Sequence, residues 1–386
     1  MLIVQTSGEQ MTVERAIVMI AASESDSNLF YATRFVAPDP FIFLEVKGER
    51  LLVMSDLELD RARSQASVDR VLSFSEIDRR LRAKGIPDPG SADVVHAVLQ
   101  EHGVRSLLVP GNFPYGHAAR LEKLGYQLET KREPFFERRA IKTADEVRHI
   151  EEAQRATEAA VAAAHAALRT ASLREGVLWL DGEALTSERI KKLINVKLME
   201  LDCVAQHTIV AGGDQACDPH HEGSGPLPAN RSIIFDVFPR SGRTRYFADM
   251  SRTVVRGKPS VELTRLYQAV KDAQEEAIQK IRDGADGSKI HQGICDRFES
   301  MGYRTGLVNG RMQGYFHGTG HGVGLDIHEP PRISRTGSIL QEGEIVTVEP
   351  GLYYPGLGAV RIEDMVLVTR DGCRNLTDFP KTFELE

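Results

Sequence analysis

Two short stretches of this chain place acidic residues where a β-sheet ordinarily carries apolar ones. Residues 232–239 (SIIFDVFP) and 246–255 (YFADMSRTVV) read as strands rich in β-branched and aromatic residues, each holding one aspartate, Asp236 or Asp249. A turn centred on Gly242 and Arg243 sets the two aspartates opposite each other and on one face. The plan repeats in residues 344–351 and 360–368, where a turn about Gly356 sets Glu349 opposite Glu363. The spacings are alike, 13 residues in the first pair and 14 in the second. Carboxylates in such strands must be paired, protonated or bound to metal. For a single pair, a solvated face or neutralisation by Arg252 and Arg361 would be an adequate reading. Two matching pairs argue against it.

Between the hairpins, His317, His321 and His328 share a 12-residue window with four glycines. Glycines allow close backbone approach, which suits a site better than a core strand. His220 and His221, after Asp218-Pro219, add a further candidate, one of the pair being a surface residue. Four carboxylates balance two divalent cations, and one imidazole completes an oxygen-rich set. That composition favours Mn²⁺, Co²⁺ or Fe²⁺ over a thiolate-type zinc site, with Zn²⁺ left open. Two such ions generate hydroxide near neutral pH and polarise a carbonyl.

The rest of the chain bounds these readings. Its 386 residues predict two or three domains. A net charge of −7 argues against nucleic acid or an anionic membrane as the main partner. No apolar run approaches the roughly 20 residues of a membrane helix. Residues 1–7 show no signal-peptide pattern, and four scattered cysteines fit buried free thiols in a reducing cytoplasm. Residues 1–135 read as mixed α/β, with strands at 16–20, 40–46, 49–54 and 106–109 and helices at 91–101 and 117–124. Asp56, Glu58 and Asp60 read as a solvated face. A boundary falls near 137–139, followed by a capping box (Thr143 to Glu146) and a long Ala-rich helix. Further helices start at Ser260 and Ser288.

At the acids and histidines the chain resembles metallopeptidase family M24, which holds prolidase, aminopeptidase P and methionine aminopeptidase. The resemblance covers about residues 140–380 and rests on five separated motifs: Asp236, Asp249 in Asp-Met-Ser-Arg-Thr, His321 in Gly-His-Gly-Val-Gly-Leu, Glu349 in Val-Glu-Pro-Gly, and Glu363 in Arg-Ile-Glu-Asp. It implies that these five are the metal ligands, with Asp249 and Glu363 bridging two ions, manganese foremost. It implies that His220, His317 and His328 are active-site histidines outside the ligand set, that Glu349 also takes part in catalysis, and that Arg332 and Arg361 bind substrate. The implied fold is α/β (α+β): a pita-bread catalytic domain with pseudo-twofold symmetry over residues 139–386, after a smaller creatinase/prolidase-type N-terminal domain over residues 1–138. That N-terminal domain disfavours methionine aminopeptidase. One departure stands out. Asp236-Val-Phe-Pro replaces the family's Asp-x-Gly, and the two aspartates are 13 apart where 11 is usual. A hairpin longer by one residue in each arm would keep the acids opposed.

The implied activity is hydrolysis of Xaa-Pro bonds, foremost in dipeptides, by a cytoplasmic homodimer whose partner is a small peptide with proline after the scissile bond. An aminopeptidase P acting on longer Xaa-Pro peptides is the nearest rival. A metal-free amidinohydrolase like creatinase, or a catalytically silent peptide-binding relative, is disfavoured by the five intact ligand positions.

Overall fold

The computed structural model describes residues 15–386, so the sequence reading of residues 1–7 lies outside the described part. The chain divides into two compact units, Met1–Phe136 and Glu137–Glu386. No helix among the described residues is long and apolar enough to cross a membrane.

The first unit is built on a six-stranded sheet in the order Arg70–Ser73, Glu49–Met54, Phe41–Val46, Arg15–Ala21, Ser106–Pro110, Gln127–Lys131. Phe41–Val46 runs antiparallel to both neighbours, and the other adjacent pairs are parallel. Alternate side chains of the central strands enter two separate cores. Val18, Ile42, Leu44 and Val53 pack on one face, Met19, Phe43 and Leu52 on the other. Burial on both faces explains why these strands read as nearly continuous apolar runs. Asp56 and Asp60 are exposed and Glu58 is half-buried in an ion pair with Arg61, in keeping with a solvated face.

The second unit repeats one order of elements. Helices Ala144–Thr170 and Ser187–Glu200 precede the strands Ile209–Gly212, Ile233–Val237 and Met250–Arg256. Helices Val261–Lys280 and Gly287–Ser300 then precede Gly320–Gly322, Glu329–Ile333, Ile345–Val348 and Asp364–Val368. The first half forms a four-stranded sheet closed by Glu384–Leu385, and the second a five-stranded sheet closed by Cys373–Asn375. This doubling is the pseudo-twofold pita-bread plan.

Helix starts follow local chemistry. Thr143 Oγ1 accepts the Glu146 N–H at 3.3 Å, while Glu146 accepts the Thr143 N–H at 2.9 Å. Ser260 caps its helix by accepting from the Leu263 N–H. The last helix begins at Gly287, one residue before its Ser288 reading, because Asp286 accepts the Ser288 N–H at 2.9 Å and is the true cap. All four cysteines are free; Cys203 and Cys217 are buried, Cys295 and Cys373 half-buried.

Candidate metal centre

The two acid hairpins differ in register. In the second, Gly351 pairs with Arg361 on the near ladder and Val348 with Asp364 on the far one, so one register runs through both. Glu349 and Glu363 stand opposite each other in the gap between the ladders, as the sequence reading expects. In the first hairpin Asp236 pairs with Ser251 and Val237 with Met250. The turn is therefore centred on Arg243 and Thr244, one residue later than the sequence reading. Asp236 and Asp249 are diagonal, not opposed. Both still face the site, because a shift of one residue at the turn moves the register by two and preserves the face. The extra length of this hairpin does not keep the acids opposed.

Ligand atoms of Asp249, His321 and Glu363 lie within 4.8 Å of one another, and all three residues are buried. His321 Nε2 is 3.4 Å from Glu349 Oε1 and 3.7 Å from Asp249 Oδ2. Asp236 lies at the edge of this group, where Arg361 Nη2 donates to its Oδ2 at 2.6 Å. Arg361 also donates from Nε to Ser251 Oγ at 3.0 Å, and Ser251 donates to Glu363 Oε2 at 2.9 Å. Arg252 is not part of the site. It is buried against Asp364 at 2.8 Å and the Glu363 carbonyl at 2.6 Å.

The electrostatics leave room for cations. Four carboxylates face two guanidinium groups, the buried Arg361 and, more weakly, Arg332. Burial, then Glu363, Asp236 and Glu349, push Asp249 well above the carboxylate range. Burial, then Glu349 and Asp236, do the same to Glu363. Burial raises Glu349 to about 8 against the opposing pull of Arg361. His321 cannot supply the missing charge, since burial and the neighbouring His328 lower it to about 3. A neutral His321 whose Nδ1–H donates to the Gly322 carbonyl turns the Nε2 lone pair toward the acids. A lone pair aimed at ionised carboxylates is repelled unless a proton or a metal cation lies between them. Asp249 Oδ1 is buried with no hydrogen-bond partner among the described residues. An orphaned carboxylate oxygen, an outward lone pair and an excess of buried negative charge fit divalent metal.

A cavity of about 830 Å³ opens over this group, lined by His220, His317, His328, Arg332 and Phe238 among others. His220 is exposed, its backbone N–H donating to Asp218. His317 has both ring nitrogens engaged. Nδ1 donates to the Gly318 carbonyl at 2.8 Å, and Nε2 accepts from the Tyr353 hydroxyl at 2.9 Å, a tautomer consistent with burial lowering His317 to about 3. His328 is exposed, its ring edge-on to His321 at 4.4 Å. Arg332 is the Cα partner of His321 across the antiparallel ladder, and its guanidinium has no hydrogen bond or ion pair among the described residues. The glycines of this segment answer to close approach: a Cβ on Gly320 would sit 1.9 Å from the Thr347 carbonyl oxygen.

The sequence reading passes over Tyr353, which is fully buried and accepts from Arg361 Nη1 at 3.1 Å while donating to His317. It also passes over Thr319, bonded to His291 at 2.9 Å and Tyr315 at 2.6 Å. Neither carries a signal in sequence: Tyr353 sits in the apolar strand Gly351–Tyr354 and looks like core, and Thr319 is a lone hydroxyl among the glycines of the histidine segment.

Residues 148–370 match the model of metallopeptidase family M24, more than half of the chain. The chain belongs to metallopeptidase family M24. This M24 peptidase is 28% identical over 341 residues to an Xaa-Pro dipeptidase of Pyrococcus horikoshii, covering 87% of this chain and 86% of that protein. Among solved structures, an Xaa-Pro dipeptidase from Bacillus anthracis superposes with a TM-score of 0.80 at 23% identity, covering 96% of this chain and 95% of the other. An X-Pro aminopeptidase from Thermotoga maritima superposes with a TM-score of 0.79 at 22% identity, covering 96% and 97%. At those identities the structures establish the shared fold.

Proposed function

We propose that this M24 metallopeptidase is an Xaa-Pro dipeptidase. The observation that carries the reading is Arg332. It lies across the ladder from His321, beside the carboxylate group, with a guanidinium that has no ion-pair partner among the described residues. A dipeptidase must bind a free carboxylate one residue beyond the scissile bond, and a planar guanidinium does so with two parallel hydrogen bonds. The Pyrococcus relative's name supports the same substrate class.

In this reading Asp236, Asp249, His321, Glu349 and Glu363 hold two divalent ions, manganese foremost. When bound, the ions supply Lewis-acid polarisation of the carbonyl and a lowered pKa for water. The chain's own groups do the rest. Glu349 is the carboxylate of the set with the most exposed side chain, at 19% against 13% for Asp236, and it exchanges the proton between water and the leaving prolyl nitrogen. Partial desolvation of its ring and the neighbouring Arg332 hold His328 below its ordinary pKa, so near pH 7 it donates to the scissile carbonyl as a neutral imidazole. Tyr353 and Arg361 hold His317 and Asp236 in place. His220 lies at the cavity wall as a further polar contact for the peptide. The domain assignment that goes with this reading is a creatinase/prolidase-type domain over residues 1–138 and the catalytic domain over 139–386, in a cytoplasmic homodimer.

An aminopeptidase P acting on longer Xaa-Pro peptides is the second reading, favoured by the near-equal likeness to the Thermotoga aminopeptidase. Steady-state rates on Ala-Pro and Leu-Pro against Ala-Pro-Yaa and Leu-Pro-Yaa, with metal supplied, separate the two. Preference for dipeptides supports the first, and preference for the longer peptides replaces it with the second.

A further inference from the structure

Glu329 follows His328 directly in the chain, and its carboxylate is buried between two cations. Oε2 accepts from Arg139 Nη2 at 2.9 Å, and Oε1 accepts from Lys142 Nζ at 2.8 Å. The side chains of Arg139, Lys142 and Glu329 are only 5%, 1% and 6% exposed. Arg139 Nη2 also donates to Asp326 Oδ2 at 2.7 Å, which ties a second point of the same loop. The fit is close: a Cβ on Gly324 would lie 2.4 Å from Glu329 Oε1.

Neither cation lines the cavity over the acids. A buried ion pair is a poor source of net stability, because desolvation of the charges offsets most of their attraction. What it does supply is a fixed geometry. Both oxygens of Glu329 are held, Oε1 by Lys142 and Oε2 by Arg139 and the Asp326 N–H, so the backbone at Glu329 has little freedom. His328 is the next residue, with its ring set edge-on to His321 at 4.4 Å. Arg139 and Lys142 belong to the first turn of chain after the boundary at Phe136, so the start of the second unit is fastened to the histidine loop.

We propose that Arg139 and Lys142 are positioning residues for His328, acting through the clamped carboxylate of Glu329. The inference rests on the role given to His328 above. Displacing a donor by about 1 Å can cost up to roughly 100-fold in rate.

The test compares wild type, Lys142→Met, Lys142→Arg, His328→Ala and the double variant Lys142→Met/His328→Ala on Leu-Pro. Metal content and thermal midpoint are measured in parallel, and the histidine ring resonances are followed by NMR. Lys142→Met should lower kcat about 10-fold or more at unchanged metal content, Lys142→Arg should restore part of it, and the His328 ring resonance should move. In the His328→Ala background the same substitution should cost little further, because residues acting as one unit are not additive. Additive losses, or a His328 resonance that stays in place, overturn the proposal. If His328→Ala alone leaves the rate intact, the catalytic role of His328 fails, and the ring resonance still decides the clamp. Should Lys142→Met not fold, Arg139→Lys keeps the charge on a shorter side chain, withdrawing it from the position Nη2 holds between Asp326 and Glu329, and it is read by the same measurements.

Discussion

Arg361 and Asp236 meet at 2.6 Å beside the buried carboxylates of Asp249, Glu349 and Glu363. The Arg361 guanidinium separates the roles of the two aspartates. Asp236 has a cationic partner without metal, whereas Asp249 keeps an oxygen with none among the described residues. Asp249→Asn should therefore cost at least one metal per chain and nearly all activity, as measured by elemental analysis and turnover of Leu-Pro. Two metals and normal turnover in that variant would remove Asp249 from the ligand set.

The raised carboxylates make the metal-free protein sensitive to alkali. For Asp249, Glu349 and Glu363 the folded pKa exceeds the unfolded value, so the folded state binds more protons, for Glu349 between pH 4.5 and about 8. Stability must then fall as pH rises through that window. Bound metal replaces those protons, so added Mn²⁺ should raise the thermal midpoint more at pH 8 than at pH 5. Scanning fluorimetry of chelator-treated and metal-loaded protein checks this. A metal-induced shift that is equal at both pH values would contradict it.

His165 gives the opposite sign in a different place. It is buried edge-on between Phe235 and Phe379, and burial lowers it to about 3 from 6.5. The unfolded chain binds the proton first, so stability falls as pH drops below 6.5, by about 2 kcal/mol between pH 7.5 and 5. Nε2 has no partner to lose among the described residues, so His165→Leu should be tolerated and should flatten this acid limb. Denaturant unfolding at the two pH values reads the difference, which should shrink by about that amount.

Arg332→Ala should raise KM for Xaa-Pro dipeptides at least about tenfold, since charge-assisted bonds contribute roughly 1.5–3 kcal/mol each. The rate on Xaa-Pro-Yaa should change far less. Equal effects on both substrate classes would make Arg332 an ordinary surface residue.

Phe238 stands where the resemblance leads one to expect glycine, and its ring lines the cavity two residues beyond Asp236. Phe238→Ala should change the ratio of kcat/KM between Leu-Pro and Gly-Pro by about tenfold, the scale of hydrophobic pocket discrimination. An unchanged ratio would place the first residue of the substrate away from this wall.

The chemistry of the site was legible in the sequence because it is written in residue types. Carboxylates at matched places in apolar strands, and histidines spaced by glycines, are anomalous wherever they occur, so Asp236, Asp249, Glu349, Glu363 and the set His317, His321 and His328 stand out before any folding is considered, while the choice of His321 among the three comes from the family resemblance. Helix starts at Thr143 and Ser260 were legible for a related reason: caps are local, and their donors and acceptors lie within three residues. The offset between Asp236 and Asp249 was not, because a turn can shift by one residue without changing which face the strands present. Only the three-dimensional structure could assign the partners of the cations. Arg252 and Arg361 look equivalent as neighbours of the acids, yet one is sealed against Asp364 and the other holds Asp236. Glu329 meets Arg139 and Lys142 from nearly 190 residues away, and Tyr353 joins Arg361 to His317 through one hydroxyl. Sequence fixes which groups must be neutralised, since burial of charge is costly in any fold. Tertiary packing decides which partner neutralises each, since that depends on distances of a few ångströms between segments far apart in the chain.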